Sequence, residues 1–534
     1  MTKNGLLEGR EINVEGKTVT EYLGVPYAMP PIGKDRFKPP QPQNNKLWRF
    51  SEEPETHNAK FPRNSCYQTA HITGDPDIDW RIYRGAIALD CLYLNIWKPK
   101  NPNGGVVEYN GSIVTAKTDL IWVNINYRLS IFGFGYLGKG KQIPGNVGLL
   151  DQQMAIEWIY RNIEAFGGDK SKITLLGHGT GAAFATAHMY AKGSSKYFSK
   201  IIALSGSIGN TWASVSNEFV EKKTREVAYQ VNCTQSKDNE ILACLQKVNQ
   251  HALIVAAEKV MVISNVPYFY GFNTIRHDKN FFEEDLRIKI EKKKMNLVKG
   301  FSIMTSTSKS IGAYFLTKMI DREEFGCKFC NSKSKRFDEN TCKMGSKEFG
   351  IFMKVLNKQL GLSYVKLKKL KDLYVNKKTK DYRGAAIKLL GDITSNCEIT
   401  KSAMDNSQEC CRKTYLFEYD ARSSKGDYPK WMQPAPESEL DYIFGIPFRN
   451  PDAYCYDKLK DEKKMSSKMM EIIRNFVFNG KPNSKWKVFK SKDKRAEVIT
   501  NWQSCSDNVK YDKNIYSKAC KSARSFLPKE YIIR

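Results

Sequence analysis

The sequence predicts an α/β protein, a large mixed sheet covered by helices on both faces. Three observations carry this. Strand-like alternation at Leu92–Trp97 and Leu120–Asn126 is followed by a helix-period segment at Gly148–Tyr160 and by further strand–helix–strand units to Ser205. The stretch from Ile173 to Ala183 runs an apolar strand into a glycine-rich elbow, and a helix of small residues follows to His188. Over 534 residues, 41% are hydrophobic, enough for a sizeable core.

In chain order, residues 5 to 30 read as a small β-meander broken at Gly16 and stopped by Pro30 and Pro31. Pro39-Pro-Gln-Pro42 is an extended turn, and Phe166-Gly-Gly-Asp169 is a turn after the first long helix. Ile201–Ser205 is a further strand. Residues 215 to 400 read mainly as helices and loops, Tyr415–Tyr419 restores a strand, and Met465–Phe478 is a helix. No Pro/Gly/Ser linker, repeat or low-complexity tract divides the chain, so one domain over 1–534 is expected.

The 85 basic and 57 acidic residues leave a net charge of +28. That charge favours acidic partners: sulfated glycans, anionic lipid, nucleic acid or acidic protein ectodomains. The lysines are scattered rather than interleaved with aromatics along one stripe, which makes nucleic acid the least favoured of these. A solvated lysine-rich surface is the plain alternative. Thirteen cysteines in a chain of this size point to an oxidising compartment, and their odd number leaves at least one thiol free or intermolecular. No run of 18 apolar residues exists, so no transmembrane helix is expected; Met1-Thr-Lys-Asn4 lacks the apolar core of a signal peptide. The sequons at Asn110 and Asn232 fit an exported glycoprotein.

Family likeness is carried by Tyr22-Leu-Gly-Val-Pro-Tyr-Ala28, Phe37-Lys-Pro-Pro40, Asp90-Cys-Leu-Tyr-Leu-Asn-Ile-Trp97, Asn126-Tyr-Arg-Leu129, Gly145-Asn-Val-Gly-Leu-Leu-Asp-Gln152 and Phe166-Gly-Gly-Asp169. From residue 5 to 528 the chain resembles the type-B carboxylesterase/cholinesterase family, with the cholinesterases as the nearest branch. The resemblance implies an α/β-hydrolase fold. It also implies disulfides Cys66–Cys91, Cys233–Cys244 and Cys397–Cys520, and an aromatic ligand-binding gorge to which Trp80 and Trp212 would belong. Such a gorge would hold a small cationic ligand by cation–π contact; core packing is the plainer reading of both tryptophans. Cys327, Cys330, Cys342, Cys410, Cys411, Cys455 and Cys505 have no counterpart. Cys327, Cys330 and Cys342 make an incomplete zinc set without a fourth ligand, and additional disulfides explain them more simply. No metal or cofactor is expected.

Acyl transfer in this family needs a serine, a histidine base, an acid that orients it, and donors for the oxyanion. The elbow Gly177-His-Gly-Thr-Gly181 has Gly179 where a G-x-S-x-G elbow presents its nucleophile. The acid position, ahead of Gly312-Ala-Tyr-Phe315, is Ile311, and the base position after Trp431-Met432 is Pro436. The six histidines are 57, 71, 178, 188, 251 and 277, so none lies late enough to follow an acid in the order Ser, Asp/Glu, His. Between Trp97 and Tyr109 the chain is also short by about a strand and its turn. The sheet is therefore expected to lack a central strand, unless its neighbours close the gap, and the oxyanion turn that strand carries is lost; Gly104 and Gly105 are the only remnant.

These losses together predict a catalytically inactive, exported, cholinesterase-like protein that works by binding. The family includes adhesion molecules with esterase-like ectodomains, and a homo-oligomer is compatible with it. The alternative is an ester hydrolase with displaced catalytic residues, using Ser205 or Ser207. A third reading takes Gly177-x-Gly179-x-x-Ala182 as a dinucleotide fingerprint, but no carboxylate follows near Lys200.

Overall fold

The computed structural model describes every residue except 1, 44–55, 69–85, 100–109, 262–270, 318, 320–322, 328–340, 409–411, 426–429, 433, 435–437, 501–509, 513–517 and 527–534. Trp80 and Pro436, with Cys330, Cys410, Cys411 and Cys505, lie outside the described residues, as do Gly104 and Gly105.

The meander forms first. Strands β1 (Arg10–Val14) and β2 (Lys17–Pro26) pair antiparallel around Glu15 and Gly16, whose φ values of 54° and 78° are those of a two-residue hairpin turn. Strand β3 (Tyr93–Pro99) pairs antiparallel with β2, and β4 (Trp122–Ile125) pairs antiparallel with β3. These four strands form one sheet in the order β1-β2-β3-β4. Helix α1 (Ser112–Thr118) covers part of it through Ile113 and Val114.

A second sheet holds the elbow. Strand β5 (Thr174–His178) pairs parallel with β6 (Lys200–Leu204), β6 with β7 (Ser302–Ser308) and β7 with β8 (Lys413–Tyr419). Strand β9 (Ala496–Ile499) continues parallel on β8, and β10 (Lys510–Asp512) closes the order antiparallel. The mixed α/β architecture is the one the sequence predicts. Strand β7 is a correction, since it lies within a region read as helices and loops. All seven of its residues are buried, although five are serine or threonine, so hydroxyl composition hid a central strand.

Helix α2 (Val147–Asn162) and the elbow helix α3 (Thr180–Ala187) contribute Ile156, Phe184 and Ala183 to the largest apolar cluster. Helix α8 (Leu459–Asn479) packs Met465, Met469, Ile472 and Phe476 against Tyr415, Phe417 and Leu204 in another. Two separate apolar clusters bounding the second sheet are what helices on its two faces require.

The expected missing strand has a structural counterpart. Among the described residues, β4 ends the first sheet and β5 begins the second, and the two do not pair. The neighbouring strands therefore do not close the gap. Four disulfides join Cys66–Cys91, Cys233–Cys244, Cys327–Cys342 and Cys397–Cys520, and Cys455 is an exposed free thiol. The Cys327–Cys342 bond removes two of the three candidate zinc ligands. Among the described residues no helix is long and apolar enough to cross a membrane.

Candidate functional site

The elbow is intact as backbone. Gly179 has φ 53° and ψ −116° and stands at the N-cap of α3; its amide donates to Leu204 O at 2.9 Å and its carbonyl accepts from Ala183 N at 3.0 Å. Close packing demands the flanking glycines: a Cβ on Gly177 would lie 2.1 Å from Gly181 O, and one on Gly206 would lie 2.1 Å from Gly179 O. At Gly179 itself a Cβ would meet nothing within 4 Å. The strained turn and the space for a side chain are both present, and position 179 supplies no side chain.

Ile311 opens α5 (Ile311–Thr317), just after β7. Its side chain packs towards Gly391, where a Cβ would sit 3.3 Å from Ile311 Cγ2. Gly312 is required beside it, because a Cβ there would be 1.8 Å from Ile387 O. The position holds an apolar contact and no group that can orient a base.

Beside the elbow lies a polar cluster that sequence reasoning did not assemble. Glu439, in α7 (Ser438–Ile443), is 1% exposed. Its Oε1 accepts a hydrogen bond from Ser205 Oγ at 2.9 Å and faces His178 Nε2 at 3.2 Å. An ionised carboxylate only accepts, so Nε2 of His178 carries the proton. Burial pushes the Glu439 carboxyl up, but the charge of His178 and hydrogen bonds from His178, the Glu439 backbone and Ser205 outweigh it and hold the group below the usual carboxylate range. Ser205 itself has φ +54°, and its amide donates to Ser306 Oγ at 3.0 Å. Ser207 is 2% exposed and its Oγ accepts from Gly209 N at 3.3 Å in a local turn.

His188 is a structural residue. It is 1% exposed, with Nδ1 2.7 Å from Ser194 Oγ and Nε2 3.1 Å from Gln152 Oε1, and burial lowers its pKa to about 3. Trp212 is 7% exposed within the largest apolar cluster, and its Nε1 donates to Ser395 Oγ at 3.4 Å. Asn110, the first sequon position, is 4% exposed; its Oδ1 accepts from Ser112 N at 2.7 Å and its carbonyl accepts from Arg449 at 2.9 Å. Asn232 is exposed just beyond α4 (Asn217–Gln230).

The nearest metal-like grouping among the described residues is Asp392 with Cys397 and Cys520, and both cysteines are consumed by their disulfide. The two signals that would have found the Glu439 cluster, a histidine before the elbow glycine and a buried acid in α7, are 261 residues apart.

The profile described as Carboxylesterase family matches residues 1–522. The chain is 29% identical to a cholinesterase of Mus musculus over 99% of this chain and 86% of that protein. It is 30% identical to acetylcholinesterase 1 of Caenorhabditis briggsae over 89% of this chain and 78% of that one. It is 26% identical to the acetylcholinesterase of Electrophorus electricus, covering 99% and 88%.

Proposed function

The chain belongs to the carboxylesterase family, and from that premise we propose that it is a non-catalytic member that acts by binding. One observation carries the reading: the elbow keeps its backbone and an open space at Gly179, yet no side chain stands there. Ile311 at the acid position and the absence of histidine after residue 277 support it. So does the interruption between β4 and β5, where the strand bearing the oxyanion turn would run. Loss of any one catalytic group lowers acyl transfer by roughly 10⁴ to 10⁶, and the losses do not add.

The partner is an acidic surface, an ectodomain or a sulfated glycan. The net charge of +28 supports this, and Lys366, Lys368 and Lys369 are exposed on the helix Tyr364–Asp372 beside the exposed Tyr364 and Val365. Four disulfides support an extracellular setting. Binding that weakens steeply between low and physiological salt is expected, and salt-insensitive binding would remove the charge argument.

The second reading, a displaced esterase, draws on Ser205, Glu439 and His178 lying together. Its order differs from the family's: the serine hydroxyl donates to the carboxylate, whereas in the serine–histidine–acid triad it gives its proton to the imidazole. The experiment is intact mass after exposure to a fluorophosphonate probe, with an active cholinesterase alongside. No adduct is expected. An adduct lost in Ser205→Ala would establish the second reading instead.

A further inference from the structure

The geometry points to a cavity between the loop 136–144 and the turn 276–287 as a binding site for one sulfated sugar unit of a glycan chain. The inference rests on the acidic-partner reading above and deepens it by naming the pocket and the group it takes.

Three stretches of chain build the cavity. Tyr136–Leu137 pairs antiparallel with Ile143–Pro144, and Ser214–Val215 pairs parallel with Thr274–Ile275. Asn146 ties the first stretch to the last: its Nδ2 donates to Ile275 O at 3.0 Å and to Asp278 Oδ2 at 2.8 Å, and its Oδ1 accepts from Ile275 N at 2.9 Å. Between the paired ends of the loop, Gly138, Lys139 and Gly140 have φ 64°, 52° and 79°, a left-handed turn that glycine enters without steric cost. The cavity bounded in this way is about 570 Å³, within the range of small-molecule pockets.

Its charges do not balance. Lysine and arginine supply five lining side chains, Lys139, Lys141, Arg276, Lys279 and Arg287, and acids supply four, Glu218, Glu221, Asp278 and Asp285. The fold already engages three of the acids. Asp278 accepts from the amides of Asn280, Phe281 and Phe282 and from Asn146, Glu221 pairs with Arg225 at 2.7 Å, and Asp285 pairs with Arg287 at 3.2 Å. Arg276 is 5% exposed, and its Nη2 donates to Ser214 O at 3.1 Å, so it brings fixed charge to the wall and not a mobile arm. Lys139, Lys141 and Lys279 are exposed, and among the described residues no carboxylate pairs with any of them. Glu218 is the one lining acid without a cation partner among the described residues. Three lysines and a buried guanidinium therefore outweigh a single unengaged carboxylate, and the site attracts an anion.

The walls select the guest. Among the described lining residues Pro144 is the only aliphatic side chain, so the acyl part of an anionic lipid finds no apolar wall. A protein ectodomain needs a broad face of about 800 Å² on each partner, whereas a concave site takes a compact group. Lysine ammonium groups hold sulfate oxygens by charge-assisted hydrogen bonds. Tyr136, Ser216 and Asn280 add a ring for the carbon face of a sugar and polar groups for its hydroxyls.

The test uses the full chain and a trisulfated disaccharide at low salt, read by calorimetry. Saturable binding of one disaccharide per chain is expected, and the desulfated disaccharide should bind at least tenfold more weakly. Lys139→Ala combined with Lys141→Ala should weaken binding at least tenfold; both side chains are exposed, so the fold is not at stake. Glu218→Gln should tighten binding about threefold by removing a like charge, a gain that damage to the fold could not produce. No saturation at millimolar disaccharide, equal binding of the desulfated sugar, parent-like binding by the double lysine variant or no gain in Glu218→Gln would overturn the proposal. So would a sugar phosphate that binds at least tenfold more tightly than the sulfate, or an equal loss on replacing Lys366, Lys368 and Lys369 by alanine, which would place the site on the helix Tyr364–Asp372. Retention on an immobilised sulfated glycan tests the acidic-partner reading separately: a chain retained there but blind to the disaccharide keeps that reading and loses the pocket, and a chain not retained loses both.

Discussion

Ser205 Oγ donates to the same Glu439 oxygen, Oε1, that His178 Nε2 faces, at 2.9 and 3.2 Å. The carboxylate therefore sits between the hydroxyl and the ring. Both the hydroxyl and the ring thereby satisfy a buried acid next to the elbow, and the serine proton points at the carboxylate rather than at the imidazole. On the proposed non-catalytic reading the cluster serves packing, with the composition of a catalytic one.

Removing the ring tests that reading. His178→Ala should destabilise the chain by roughly 3 kcal/mol, at the low end for a broken buried pair because the ring is 14% exposed. Glu439→Gln in the same background should recover part of the loss, since it removes the uncompensated charge. Urea unfolding of the two single variants and the double variant measures the coupling; a change under about 0.5 kcal/mol for His178→Ala would show that the pair is not needed.

Gly179→Ser places a hydroxyl where a Cβ has free space. The variant should fold, at a cost of about 1 to 2 kcal/mol for a side chain at positive φ. Neither ester turnover nor a fluorophosphonate adduct should appear, because Ile311 cannot orient a base and no late histidine exists to act as one. Turnover gained from this single change would mean that a base already stands within reach of position 179.

Arg128 and Asp151 form a bidentate pair, Nη2–Oδ1 2.6 Å and Nε–Oδ2 2.7 Å, with the side chains 3% and 0% exposed. Arg128 also reaches Lys38 O at 2.7 Å, so the pair ties α2 to the chain before it. Asp151→Asn should cost about 3 to 5 kcal/mol in thermal or urea unfolding, because the guanidinium stays buried without its counter-ion.

His188 gives a pH dependence with a definite sign. Its pKa is lowered from 6.5 to about 3 by burial, so the folded state holds the ring neutral while the unfolded chain takes up a proton first. The contribution is complete above pH 6.5 and is lost as pH falls towards 3, at up to about 1.4 kcal/mol per pH unit. Glu398 and Glu418, pushed up to about 7 by burial, act in the opposite direction as pH rises from 4.5. The His188 share is therefore read as the difference between the parent and His188→Gln across pH 4 to 7. A constant difference would contradict it.

Much of the frame was legible because its signals are local. The hairpin at Glu15-Gly16, the apolar run of β6 and the small-residue helix after the elbow each follow from a few adjacent residues. The interruption between β4 and β5 was legible as a chain too short between Trp97 and Tyr109. Strand β7 was not, because Ser302, Thr305, Ser306, Thr307 and Ser308 look like a loop until neighbouring strands bury them. Ser205, His178 and Glu439 meet only through tertiary structure, and no spacing rule joins residues so far apart. Asn110 shows the reverse case, a surface motif by sequence that becomes a buried turn partner in the fold.

The Cys397–Cys520 bond closes a loop of 123 residues and fastens α9 (Lys518–Phe526) to α6 (Cys397–Asn406). In the chain-entropy account a loop of that size restricts the unfolded chain by roughly 5 kcal/mol. It also makes the C-terminal fifth of the molecule tolerant of a protease nick. A cut anywhere between the two cysteines leaves both fragments covalently attached, so the protein would run as one band on a non-reducing gel and as two after thiol treatment.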